Sequence, residues 1–256
     1  MPRLDNKKVL ITREKKQAQI FSEKILRSGG IPIEVPVLEI SCKDKEEIEN
    51  KHIFDDLGRY QWIFFTSANG VDCFFKLINT DKKNVLASSK IAVVGHKTEI
   101  ALRKHGFHAD FIPTTYNAEV MASEFLEKYS TDKPLLLVRG NLSRTVLPYQ
   151  FSKHGLTVDL IEVYKTSYNL DIKKTLNKYI IENEIDFITF TSPSTVDAFI
   201  EMVEEKSLHD KVCVCIGTTT EKRALEHGFT ETLVPDQFTI EGMIDCISDY
   251  LVMKEG

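Results

Sequence analysis

The sequence has no stretch approaching 18 consecutive apolar residues. Its opening segment, MPRLDNKKVLITRE, holds neither an apolar core nor a small-residue cleavage site. These absences exclude a membrane-spanning helix and a secretory leader, so the expectation is a cytoplasmic protein with no membrane partner. There is no surplus of basic charge either. The formal net charge is −5 and the isoelectric point is near 5.9, which argues against a nucleic-acid partner. Cysteine is sparse and odd in number, five residues at positions 42, 73, 213, 215 and 246, none spaced as CxxC. The five therefore read as small core hydrophobes in a reducing compartment, with Cys213 and Cys215 inside the apolar run VCVCIG.

Chemical fingerprints are missing as well. No GxGxxG follows the first apolar run. The GHKT at positions 95–98 lacks the glycines of a Walker A loop. There is no HExxH and no GxSxG. His105 and His108 flank a turn and supply no metal set. Without a nucleotide fingerprint, a metal site or a catalytic triad, any catalysis has to come from binding and orientation, and neither a metal nor a cofactor is expected.

What is present is an ordinary globular composition, 42% hydrophobic and 28% charged over 256 residues, long enough for two domains. Short β-branched or aromatic runs alternate with amphipathic stretches. Strands are expected at 8–12, 62–67, 90–95, 109–113, 134–140, 186–192, 211–217 and 230–235, with extended segments at 31–40 and 156–166. Helices are expected at 15–29, 71–78, 96–106, 117–129, 143–154, 172–184, 196–205, 218–228 and 239–252, and the charged stretch 43–51 reads as a helix or linker. Strands alternating with helices mean parallel α/β sheets with right-handed crossovers. Continuous apolar strands mean that helices cover both faces.

The chain also repeats itself. Arg13 and Arg139 are 126 residues apart, Thr66 and Thr191 are 125 apart, and Gly95 and Gly217 are 122 apart. KHGFHADFIP and EHGFTETLVP match in the same order. The pattern is an internal duplication with a period near half the chain.

In such sheets ligands bind beyond the carboxyl ends of the strands, where each following helix offers free N–H groups and the positive end of its dipole. The residues at those ends are Arg13; Thr66, Ser67, Ala68 and Asn69; His96, Lys97 and Thr98; Arg139, Gly140 and Asn141; Ser192, Pro193 and Ser194; and Thr218, Thr219 and Thr220. They are small and hydroxyl-rich, and suit an anionic ligand held by main-chain N–H and side-chain O–H groups. Ser, Thr and Asn are also ordinary helix caps, and Pro193 suits a first helical turn, so each turn has a purely structural reading beside the functional one. Tyr164, in EVYKTS, is either a half-buried aromatic at a hinge or a proton donor to a leaving hydroxyl.

The ordered set VLITRE, FFTSANGV, VGHKTEIALRKHG, LLLVRGNLSR, VYKTS, FTFTSPSTV and IGTTTEKRALEHG resembles the uroporphyrinogen-III synthase family over essentially the whole chain. Thr218 departs from that pattern, where proline is frequent. The resemblance implies two flavodoxin-like parallel α/β domains joined by a two-strand linker, with a cleft between them. The domains would be 1–40 plus 165–256, and 41–164, whereas the plain repeat equally allows two sequential domains split near 130. The resemblance implies cofactor-free closure of the linear tetrapyrrole hydroxymethylbilane to uroporphyrinogen III, with ring D inverted and water lost. Tyr164 would assist hydroxyl departure. Thr66, Ser67, Thr98, Ser192 and Thr220 would line the site, and Lys97 is added on charge alone. The expected partners are the polycarboxylate substrate and a transient contact with the preceding enzyme of the pathway, the chain itself being a monomer. A competing reading is a non-enzymatic two-domain protein that binds a small anion, as a sensor does.

Overall fold

The computed structural model describes residues 3–182, 184–204 and 211–255. Asn183 and Glu205, which belong to two of the expected helices, lie outside the described residues. In chain order the elements are β1 (Lys8–Ile11), α1 (Lys15–Arg27), β2 (Ile31–Glu34), β3 (Leu38–Cys42), β4 (Trp62–Phe65), α2 (Ala68–Leu77), α3 (Thr80–Leu86), β5 (Lys90–Val93), α4 (His96–Lys104), α5 (Ala118–Lys128), β6 (Leu135–Gly140), α6 (Val146–Lys153), β7 (Val158–Tyr168), α7 (Lys173–Ile181), β8 (Phe187–Phe190), α8 (Pro193–Met202), β9 (Val212–Cys215), α9 (Thr218–Glu226), β10 (Thr232–Leu233) and α10 (Ile240–Glu255).

The strands form two five-stranded sheets, ordered β10-β9-β8-β1-β2 and β3-β7-β6-β4-β5. Contacts divide the chain into two compact units, one running to Glu39 and resuming at Ser167, the other Ile40–Thr166. The chain crosses from one unit to the other inside β3 and again inside β7, which are neighbours in the second sheet.

The first sheet is parallel throughout. In the second, β4 pairs in parallel with β5 and β6, and β6 with β7, while Phe111 adds a parallel bridge to Ala92 beside β5. Laid side by side, β2-β1-β8-β9-β10 matches β7-β6-β4-β5-Phe111. The first unit follows the flavodoxin-like order, in which the second strand in sequence is an edge and the first lies beside it. In the second unit the two halves of that motif occur in swapped chain order. This topology is the duplication that the paired motifs announce. Arg13 and Arg139 follow or end equivalent strands, as do Thr66 and Thr191, and Gly95 and Gly217.

Period-two alternation feeds two cores per sheet. Trp62 and Phe64 of β4 pack with Phe125 and Phe151 on one face, while Ile63 and Phe65 pack with Phe74 and Leu102 on the other. In the first unit Val212 and Val214 join Phe21 and Met243, while Cys213 and Cys215 join Phe190 and Phe199. All four residues of β4, β8 and β9 are buried, which requires helices on both faces. α4 and α9 stop at the same signal, glycines in the left-handed region, Gly106 with φ +86° and Gly228 with φ +92°.

Several expectations change. The extended segment 31–40 is two strands in different sheets, parted at Pro36, whose missing N–H cannot continue a ladder. The charged stretch 43–51 folds as short 3-10 turns at Lys45–Glu47 and from Lys51, not as a helix. α3 is an added helix, capped by Asn79 accepting from the Lys82 N–H at 3.1 Å. The strand at 109–113 shrinks to one bridge. α2 and α8 begin before the expected starts, at Ala68 and Pro193, because Ser67 and Ser192 cap them. The reading of all five cysteines as free core residues is overturned. Cys42 and Cys73 form a disulfide, and only Cys213, Cys215 and Cys246 remain free. The two sulfurs lie 31 residues apart in sequence, and only the packing of β3 near α2 brings them together.

Candidate active site

The strand ends of the second unit converge on Tyr164. The β6–β7 ladder pairs Arg139 with Glu162 but Gly140 with Tyr164, so one extra residue, Val163, is accommodated on β7. A bulge of this kind re-aims the next side chain. It sets the Tyr164 ring directly over Gly140, where a Cβ would come within 2.3 Å of Cε2 and 2.4 Å of Cζ. Only glycine leaves room for the ring. Asn141 then clamps the strand just beyond. Its Oδ1 accepts from the Thr166 N–H at 2.8 Å, and its Nδ2 donates to the Thr166 carbonyl at 3.1 Å.

The phenol reaches the start of α2. Ser67 Oγ accepts the Gly70 N–H at 3.0 Å and donates its own proton to the Tyr164 oxygen at 3.2 Å. With its oxygen already accepting from Ser67, the phenol directs its own proton elsewhere. Among the described residues it has no other partner. The ring packs partly buried against the core around Phe65 and Phe74, and the phenol is held by the residue that caps α2.

The other predicted residues divide into two groups. Ser67 and Ser192 cap α2 and α8, so their structural reading holds. Ser192 forms a capping box with Thr195, and its Oγ lies 2.9 Å from that of Ser194. Pro193 fills the first helical position. Arg139 is buried, and its guanidinium donates to the Gly140 and Ser143 carbonyls, so it folds its own loop. Its counterpart Arg13 donates to Gln17 at 2.7 Å, and no carboxylate pairs with it among the described residues. Burial pushes the Arg13 guanidinium below its ordinary value, and nearby Glu14 opposes this.

α4 and α9 differ from the capped helices. Their caps are Gly95 and Gly217, which have no side chain to bond the first turn. His96 and Lys97 on one helix, and Thr218 and Thr219 on the other, stand exposed at these starts, while Thr98 and Thr220 are buried in the third position. Thr218 opens α9 without the proline frequent there. Thr66, Ala68 and Asn69 are half-buried at the β4–α2 junction.

One feature was missed from sequence. Tyr116 and Phe238, exposed by 57% and 60%, lie over Gly95 and Gly217 respectively. A Cβ would meet the Tyr116 ring at 2.8 Å and the Phe238 ring at 3.4 Å. The signal was available, since each aromatic follows the proline of a repeated motif, Pro113 or Pro235, by three residues. Among the described residues no group of three His, Cys, Asp or Glu could hold a metal ion. His105 is instead a packing residue, stacked on Phe75 at 4.5 Å and 3.1 Å from Asp72. Among the described residues no helix is long and apolar enough to cross a membrane.

The model of the family described as uroporphyrinogen-III synthase HemD matches residues 19–245. The chain belongs to the uroporphyrinogen-III synthase family. A relative from Methanocaldococcus jannaschii is 32% identical over 246 residues, 94% of this chain and 97% of its own length. The porphyrin biosynthesis protein HemD of Ruminiclostridium josui is 30% identical over 240 residues, covering 93% of this chain, while the chain spans only 47% of that protein. The crystal structure of uroporphyrinogen-III synthetase from Helicobacter pylori superposes with a TM-score of 0.65 at 17% identity, over 98% of this chain and 100% of that one, and shows the same fold. Membership of a synthase family does not favour the sensor reading.

Proposed function

We propose that this chain is a uroporphyrinogen-III synthase, a lyase of porphyrin and heme biosynthesis that closes hydroxymethylbilane to uroporphyrinogen III. The observation that carries the residue-level reading is the Tyr164 phenol held 3.2 Å from Ser67 Oγ with its own proton free to donate. Loss of the terminal hydroxyl leaves a stabilised azafulvene cation, so a modest acid suffices for the departure. The harder task is to choose which pyrrole carbon attacks, and that choice is made by holding the folded chain in one geometry. Each unit by itself offers a place for a carboxylate where no side chain caps a helix: the start of α4 with Lys97 and Thr98 in one, and the start of α9 with Thr219 and Thr220 in the other, where Arg13, partly buried, also favours an anionic partner. The exposed rings of Tyr116 and Phe238 offer faces to pyrroles.

We take the two compact units as the two domains, the single chain as the working unit, and the cytoplasm as its compartment. Because the substrate also closes unaided, a transient contact with the enzyme that makes it would shorten its free lifetime. The test is to give purified protein hydroxymethylbilane and separate the porphyrin isomers after oxidation. The expected product is isomer III. Isomer I alone, the product of uncatalysed closure, would remove the enzyme reading.

A further inference from the structure

We infer that the Cys42–Cys73 disulfide is a positioning brace for Tyr164, giving the enzyme a fully active disulfide form and a dithiol form of lower turnover. The inference rests on the reading of Tyr164 as proton donor. It comes from where the two sulfurs attach.

Cys42 ends β3, the strand beside β7. The next residue, Lys43, donates its N–H to the Val163 carbonyl at 2.9 Å, and its Nζ lies 3.3 Å from Glu162. One end of the brace is therefore fastened to the 162–164 stretch, at the bulge that aims Tyr164. Cys73 lies on α2, six residues after the cap Ser67. On the same helix Gly70 faces the Tyr164 ring, where a Cβ would sit 3.8 Å from Cε1. The other end is therefore fastened to the helix that presents Ser67. The disulfide joins the two elements whose separation sets the Ser67–Tyr164 distance.

That distance needs holding. At 3.2 Å it is already long for a hydroxyl pair, so a shift of a few tenths of an ångström breaks the bond. The bulge shifts the ladder register at this point, between the Arg139–Glu162 and Gly140–Tyr164 pairs, so the regular ladder does not run on through Tyr164. Asn141 restrains the strand at Thr166, and the disulfide restrains it from the opposite neighbour.

The bond is open to exchange from one side. Cys42 is half-buried, whereas Cys73 is 3% exposed. A thiolate of a small dithiol attacks Cys42 Sγ, the S–S bond breaks, and Cys73 leaves as a thiolate that takes up a proton. The second thiol of the reductant closes on the mixed disulfide and releases Cys42 as a thiol. The protein gains two electrons and two protons, and the dithiol becomes a cyclic disulfide. Burial pushes the thiols of Cys213 and Cys246 up from their ordinary values, so neither readily forms the thiolate that would attack the disulfide from within the chain.

The test compares the wild-type chain before and after dithiothreitol. Alkylation of denatured protein prepared without reductant should label three of the five cysteines, and all five after reduction. Reduction should lower kcat about tenfold, as expected for loss of one transition-state hydrogen bond, with KM within about twofold, and reoxidation should restore it. Cys42→Ala, and separately Cys73→Ala, should sit at the reduced level and ignore dithiothreitol. Tyr164→Phe should show no redox response in kcat. Five labelled cysteines without reductant, or equal kcat in both redox forms, overturns the inference. A redox response that survives in Tyr164→Phe also overturns it, since the brace would then act elsewhere. A Tyr164→Phe variant with wild-type kcat instead defeats the reading of Tyr164 as donor, and is distinguishable from the other outcomes.

Discussion

At the scale of single residues, Gly140 and Ser67 decide where the Tyr164 phenol goes. Gly140→Ala puts a methyl group into the space of the ring and must push it aside, since no real contact survives at 2.3 Å. The backbone at Gly140 is not in the left-handed region, so the change adds crowding without strain of the main chain. The expected outcome is a drop in kcat of about tenfold or more with a modest change in melting temperature, read by steady-state kinetics beside a thermal melt. Ser67→Ala and Ser192→Ala form a second contrast. Each loses a helix cap and should cost about 1 kcal/mol of stability in denaturant titration. Ser67→Ala alone should also lower kcat, because it removes the donor that orients the phenol. Equal kcat losses in both variants would mean that the caps matter only for folding. Tyr164 itself could be singled out from sequence by its place in VYKTS, but its partner could not. Ser67 lies 97 residues away, and the bulge that turns the ring toward it leaves no mark in the local pattern.

Among the elements, the helices pack through polar pairs that the duplication has copied. His105 Nε2 meets Asp72 Oδ1 at 3.1 Å between α4 and α2, and His227 Nε2 meets Asp197 Oδ1 at 3.1 Å between α9 and α8. α4 carries a further pair, in which the Arg103 guanidinium donates to Glu99 at 2.7 Å and holds that carboxyl below its ordinary value. A carboxyl depressed in the folded state contributes stability above its unfolded pKa, about 4.3, and loses it as the pH falls through the folded value. Glu99→Gln should therefore melt below the wild type at neutral pH, with the gap closing as the pH drops below about 4. A gap that stays constant with pH would assign the effect to packing. Elements were read best where burial is complete. The short runs of β4, β8 and β9, rich in aromatic and β-branched residues, have the length and character of buried strands. They were read worst at Pro36, where one extended run divides between two sheets, and at Phe111, where a run with strand character finds only one bridge. In both places pairing is set by neighbours distant in sequence.

For the whole molecule, the two units differ in one covalent respect: among the described residues only Ile40–Thr166 contains a disulfide. Closing a 31-residue loop restricts the unfolded chain and contributes about 3–4 kcal/mol in the chain-entropy account. In calorimetry, reduction should lower the unfolding temperature of that unit by roughly ten degrees and leave the unit containing Ser167 onward unchanged. The paired motifs made the duplication legible, because each copy keeps the same strand ends and the same glycine stops. The swapped chain order of the second unit was not legible from the plain repeat, which equally allows two sequential domains. The proposed reaction turns on a phenol placed by a bulge, a glycine and a helix cap to drive hydroxyl departure. Its most direct test is the initial rate of uroporphyrinogen III formation by Tyr164→Phe at saturating hydroxymethylbilane, measured beside its thermal melt. The expected rate is at least about tenfold below wild type with an unchanged melt. A wild-type rate would contradict it and leave Tyr164 as a packing residue.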